Sequence, residues 1–169
     1  MKNILSKTKF VKCKRQLPNL KSFLVKSEFR ESTRVPKFSR CQDTWCGLCG
    51  YIIEGNSFTT KSNKTFQVKY YMDCSVQNVL YALRCNGCKE IYIGQTGDKL
   101  WNRRTVHEQQ MRDPSTRQIP LSSHLNTCCN NEPKLSIFPF YKFHFDNASA
   151  MLWKGRYFIH IFDPKLNIK

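Results

Sequence analysis

Acidic side chains are scarce in this sequence. Twelve Asp and Glu stand against 28 Lys and Arg, a formal charge of +16 at pH 7. That imbalance says nothing about fold, but it favours a polyanionic partner, nucleic acid first and an acidic membrane surface second. Long apolar runs are missing too. SIFPFYKFHF is far short of a bilayer span and is interrupted by Lys142 and His144. The opening MKNILSKTKFVK has no apolar stretch that would serve a signal peptide. These absences exclude a spanning helix and an export signal, and the chain is expected to be intracellular. Internal repeats and low-complexity segments are also lacking. What is present is 40% hydrophobic and 13% aromatic residues, enough for a packed core. There are also nine cysteines, which inside a cell are metal ligands more readily than a disulfide framework.

The positive charge is concentrated early. Residues 1–40 carry Lys12, Lys14, Arg15 and Arg34 among many other basic residues, against only Glu28 and Glu31. With Pro18, Pro36 and little periodicity, this stretch reads as an extended basic linker arm that contacts nucleic acid, or else as a solvated tail. Residues 41–76 form a cysteine-rich segment. In it SFTT and TFQVKYY read as two short strands around KSNK, with Phe66, Val68 and Tyr70 alternating with polar neighbours. Residues 77–169 form the third part. VLYALR and EIYIG make a hairpin with CNGCK at its tip. Asp98 is the expected N-cap of a helix to about Met111 that places Leu100, Arg103 and His107 on one face. A short helix over 120–126 and a strand KLSIFPFYKF follow; Pro139 confines that strand to an edge or a bulge. The last helix starts near Asp146 or Asn147 and ends before Asp163-Pro164. Its apolar stripe is Met151, Leu152, Phe158, Ile159 and Phe162, interrupted by Gly155, although a mid-helix glycine costs about 1 kcal/mol relative to alanine.

A thiolate zinc site needs four ligands in a tetrahedron, and each Cys-x-x-Cys turn supplies two. Cys46 and Cys49 form one such turn. With Cys41 before it and Cys74 after the strand pair, they make a self-contained four-cysteine set. Cys85 and Cys88 form the second turn; His124 and Cys128 offer the remaining two ligands, with Cys129 as the rival of Cys128. Cysteine also serves as a small buried hydrophobe, but two clustered turns favour metal. Cys13 stands alone as a free thiol.

The order VLY, then Tyr92-Ile93-Gly94, then a glycine turn, then Leu100-x-x-Arg103-x-x-x-His107 resembles the GIY-YIG endonuclease family. The Cys-x-x-Cys between the tyrosine motifs, the upstream cysteines, EGNSFTT, QVKYYMDCSVQNVLY and the closing RYFIHIFDPKLN resemble one branch of it, the endonuclease domain of Penelope-like retroelements. PNLKSFLVKSEF is similar to the linker that follows the reverse transcriptase there. The resemblance implies an α+β fold: a small, mainly antiparallel sheet flanked by helices, preceded by a zinc-binding subdomain. It also implies DNA as substrate, with RNA as the other candidate nucleic acid, a reverse transcriptase domain as partner, nuclear placement and structural zinc. The implied activity is hydrolysis of a DNA phosphodiester with one Mg²⁺ or Mn²⁺.

Carried over by motif, Tyr81 and Tyr92 are the two catalytic tyrosines, Arg103 the motif arginine, His107 the group one turn later and Asn167 the terminal asparagine. Arg104 adds charge beside them. A tyrosine takes a proton from water only if nearby positive charge lowers its pKa from about 10. Arg103 would hold the scissile phosphate with directed N–H donors. The serious departure is Gly155. The family's metal-binding glutamate aligns there, whereas this chain has Lys154-Gly155-Arg156. A hard cation needs carboxylate oxygen, so either a carboxylate from elsewhere, such as Glu90 or Asp98, supplies it or cleavage is impaired, which is the expectation.

Overall fold

A computed structural model describes residues 35–116, 118–128, 135–144 and 147–167. Lys12, Lys14, Arg15 and Arg34 of the basic arm, together with Cys13 and Cys129, lie outside the described residues.

The centre of the fold is the motif hairpin. β3 (Val79–Cys85) pairs with β4 (Ile91–Thr96) and, on its other side, with β5 (Leu135–Lys142). The order is β4-β3-β5 with every pair antiparallel. Because β3 is central, all of its residues but Arg84 are buried, which explains the near-continuous apolar run VLYAL. Pro139 stands opposite Tyr81 beside a register irregularity at Leu80/Tyr81, so the missing amide falls where the ladder is already broken.

Both sheet edges are covered. The Ile53 amide donates to the Ile137 carbonyl, laying the cysteine-rich segment along β5. On β4, Asn167 plugs the edge with its side chain: Oδ1 accepts from the Ile93 amide at 2.8 Å and Nδ2 donates to the Ile93 carbonyl at 2.9 Å. Covered edges cannot recruit another strand.

A second hairpin, β1 (Ser57–Thr59) and β2 (Thr65–Gln67), buries Phe58 and Phe66. β2 is shorter than its alternation predicts. Val68 is still buried, but Tyr70 is exposed, because the chain leaves the hairpin so that the Met72 amide reaches the Lys37 carbonyl. Phe66 then joins the main core, stacked on Phe162 and tilted against Phe140.

Among the described residues three helices flank the sheet. α1 (Leu100–Arg112) buries Leu100, His107 and Met111. Asp98 does not cap it. Lys99 holds the N-cap position without a side-chain bond, and the Leu100 amide is taken by the Val76 carbonyl. α2 (Pro120–Cys128) buries Leu121, Ser122 and Leu125. α3 (Ala148–Phe162) is capped by Asn147, whose side chain accepts from the Ala150 amide, and it ends at Asp163 in a left-handed conformation before Pro164. Its inward seam is Met151, Gly155 and Phe162, with Phe158 half-buried. Leu152, expected on that seam, sits one residue round the helix and is 46% exposed. No described helix is long and apolar enough to cross a membrane.

Candidate active site and metal centres

Strand alternation sorts the motif residues onto two faces of the sheet. Tyr81 and its cross-strand partner Gly94 share the face covered by α1; Leu80 and its partner Gln95 share the face covered by α3. The Tyr81 ring lies flat across Gly94. A β-carbon there would fall 2.5 Å from the Tyr81 hydroxyl oxygen and 2.8 Å from Cε2. This glycine is therefore a requirement of the tyrosine above it.

α1 brings two polar groups to that tyrosine. Arg103 Nε donates to the phenol oxygen at 3.1 Å, and His107 Nε2 lies 2.7 Å away on its other side. A guanidinium only donates, so the phenol accepts from Arg103 while it shares a second hydrogen bond with His107 Nε2. Burial first, and the Arg103 charge second, push His107 down from 6.5 to about 4. The Tyr81 phenol is pushed up by burial, and Arg103 offsets only part of this. The condition for a tyrosine to act as base, a pKa lowered by nearby positive charge, is not met at Tyr81: it is fully buried, and desolvation outweighs the Arg103 charge. Tyr92 is only half-buried on the same face, its ring centroid 5.8 Å from that of His107. Arg103 interacts with both phenols, so Tyr92 is the tyrosine placed between this buried relay and solvent.

The histidine makes acid stability a readout of the relay. In the unfolded chain His107 titrates near 6.5, in the native site near 4. Between these values only the unfolded chain binds the proton, so the contribution is complete above 6.5 and is lost as pH falls toward 4. Urea unfolding at neutral pH and at about pH 4.5 is expected to show the parent losing about 2.5 kcal/mol more than His107→Gln. Equal losses in the two proteins would mean that the imidazole is not held neutral.

The remaining motif residues have other occupations. Asn167 spends its carboxamide on Ile93, as described above. Arg104 packs over the Tyr51 ring at 4.0 Å and pairs with Glu108, bracing α1 against the cysteine-rich segment. Gly155 faces Leu80 and Gln95, on the side of the sheet opposite the Tyr81 relay; a β-carbon there would meet Gln95 Oε1 at 2.9 Å. Of the other acids, Glu90 is engaged by Lys61 and Lys165, and Asp98 is exposed. Among the described residues no cluster of three metal-ligating groups contains a carboxylate. The described residues thus offer no carboxylate-containing cluster of that size for a hard catalytic cation. No motif singles out Gln95; its signal is its place one residue after Gly94, which turns it to the opposite face.

The cysteines do converge. Cys41, Cys46, Cys49 and Cys74 place their sulfurs within 4.8 Å of one another, with Cys49 3.5 Å from both Cys41 and Cys74. Cys85, Cys88, His124 and Cys128 form a second group with the same limit, Cys88 lying 3.2 Å from His124 Nε2 and Cys85 3.8 Å from Cys128. Zinc–sulfur bonds of about 2.3 Å in a tetrahedron need sulfurs about 3.8 Å apart, so both groups could hold a structural metal ion such as zinc. Burial pushes the Cys74 thiol up, a cost to the thiolate that a bound cation would offset. In the second group Cys128 is one of the four, and its rival Cys129 lies outside the described residues.

Comparison of the chain with protein-family models, with curated proteins and with solved structures returns no match.

Proposed function

We propose that this chain is a GIY-YIG-type DNA endonuclease domain of retroelement origin, one that binds DNA but is impaired in cleavage. The observation that carries the reading is the Arg103–Tyr81–His107 relay, with half-exposed Tyr92 beside it; Gly155, aligned by motif with the family's glutamate, offers no carboxylate and faces the other side of the sheet. In this reading the Arg103 guanidinium, anchored through Nε, holds a phosphate with its remaining N–H groups. Tyr92 orients the attacking water. Tyr81 fixes Arg103 and is itself held by its hydrogen bond with His107 Nε2, which keeps the phenol from turning away. The two cysteine groups hold structural zinc, the net charge of +16 supplies affinity for the DNA backbone, and a reverse transcriptase domain is the natural partner, which places the protein in the nucleus. A second reading, a zinc-containing nucleic-acid-binding module without catalysis, is favoured by the complete burial of Tyr81.

Conversion of supercoiled plasmid to nicked circles with Mg²⁺ or Mn²⁺ tests the proposal. The parent is expected not to nick and Gly155→Glu to nick, its side chain reaching past the β4 edge from the α3 face to the Arg103 side. Room for that side chain depends on Gln95, whose obstructing atom is the end of a flexible chain, so Gly155→Glu with Gln95→Ala belongs in the series. Nicking by the parent that Arg103→Ala abolishes would mean an intact enzyme whose carboxylate comes from elsewhere. If no variant cuts while all bind DNA, the binding-module reading replaces the nuclease.

A further inference from the structure

α3 carries an aromatic stripe that the core does not use. Trp153 and Tyr157 stand away from the inward seam, 65% and 43% exposed. They are neighbours at i and i+4, with rings 5.9 Å apart and 14° from parallel. Beside them a groove of about 410 Å³ runs between α3, β2 and β5, its walls including Tyr70, Phe140, Tyr141 and Phe158. Lys154 lies across this surface, Nζ 4.5 Å from the Tyr157 ring centroid and 5.5 Å from that of Tyr141, while Lys69 stands on the β2 side. No Asp or Glu lines the groove, and α3 has Lys154, Arg156 and His160 but no acid.

Charge selects the occupant. A second copy of the chain would bring a surface of the same sign and another +16. An apolar peptide would leave the lysines without counter-charge. A DNA duplex offers phosphates but hides its base faces in the stack. An unpaired strand offers both planar faces for the aromatic rings and phosphates for the lysines. We infer that this face binds single-stranded DNA, with a base stacked on Trp153 and the backbone held by Lys154 and Lys69. It lies on the α3 side of the sheet, whereas the Tyr81 relay lies on the α1 side. The chain thus has a second nucleic-acid surface apart from the candidate active site. The choice of DNA over RNA rests on the function proposed above; the stacking geometry does not.

The test is a binding titration of the full zinc-loaded chain with fluorescein-labelled oligothymidylate, an abasic strand of equal length, oligouridylate and a duplex. Trp153→Ala with Tyr157→Ala, both exposed, is expected to weaken oligothymidylate binding roughly tenfold or more, while Trp153→Phe retains most of it. The abasic strand should bind more weakly and be indifferent to the same substitutions. Equal oligothymidylate affinity for parent and double variant would overturn the inference. So would an equal effect of the substitutions on the abasic strand, or a dimer in sedimentation that the substitutions abolish. Oligouridylate binding as tight as oligothymidylate would overturn the assignment to DNA. Plasmid nicking is read on duplex DNA, so its failure and the failure of this surface are separate results.

Discussion

Replacing Cys49 by serine is expected to halve the zinc content of the chain and to lower its Tm by about 15 °C or more. Cys49 touches two other sulfurs of its group, so its loss leaves three ligands and one broken tetrahedron. The segment that depends on it has little else to hold it. From Cys41 to Ile52 its only regular structure is a single 3-10 turn at Cys49–Tyr51, yet it delivers Leu48 and Ile52 to the core. Structural zinc is worth about 10 kcal/mol or more in isolated zinc-binding peptides; retaining even half of that here gives about 5 kcal/mol, which scales to the stated shift in Tm. Metal analysis after dialysis, with thermal unfolding followed by circular dichroism, checks both numbers. Two zinc ions per chain and an unchanged Tm in Cys49→Ser would remove the four-cysteine group as a metal site. His124→Ala should behave in the same way at the second group, leaving the first occupied.

Gly94→Ala is expected to destabilise the fold by about 3 kcal/mol although it adds one methyl group. The new carbon has nowhere to go. It meets a fully buried aromatic ring that belongs to the central strand and whose hydroxyl is fixed by Arg103 and His107. Relief requires either the ring to swing, breaking both hydrogen bonds, or β4 to peel from β3. Gly155→Ala is the internal control. Its new carbon meets the end of the Gln95 side chain, which can rotate away, and helix propensity returns about 1 kcal/mol. Urea unfolding of the two variants should therefore separate them widely. A Gly94→Ala protein as stable as the parent would show that the ring does not lie on that glycine.

Much of this was legible because it is local. Asn147 caps α3 through the amide of Ala150, three residues on, and Phe66 and Val68 face inward on a two-residue period. Each such signal needs only a short window of sequence. The Cys-x-x-Cys turns announced two four-membered groups for the same reason, and convergence from distant positions completed them. The misreadings share the opposite cause. Asp98 looked like a cap, but a carbonyl from Val76 had already taken the amide, and that contact crosses from another part of the chain. Tyr70 continued an alternation that Met72 interrupts by pairing with Lys37. Leu152 was one helix position off the seam, a distinction that hydrophobicity alone does not draw. Tyr81, Arg103 and His107 could be named from motif order, but not the direction of the Tyr81 pKa, because burial is decided by every element packed around the ring.

The two cysteine groups also govern how the chain can assemble. The first joins Cys41 to Cys74 across 33 residues, the second Cys85 to Cys128 across 43 residues. These spans follow one another without interleaving. Closing a loop of that size costs an entropy that grows only with the logarithm of its length, and each closure here is complete before the next begins. Neither loop must thread the other, so a metal ion bound at one group would not have to wait for one at the other. With metal bound, the first loop could close once Cys74 is available, enclosing the β1–β2 hairpin next to Phe38, whose backbone pairs with Gly55. The sheet can then condense against that hairpin when β5 arrives.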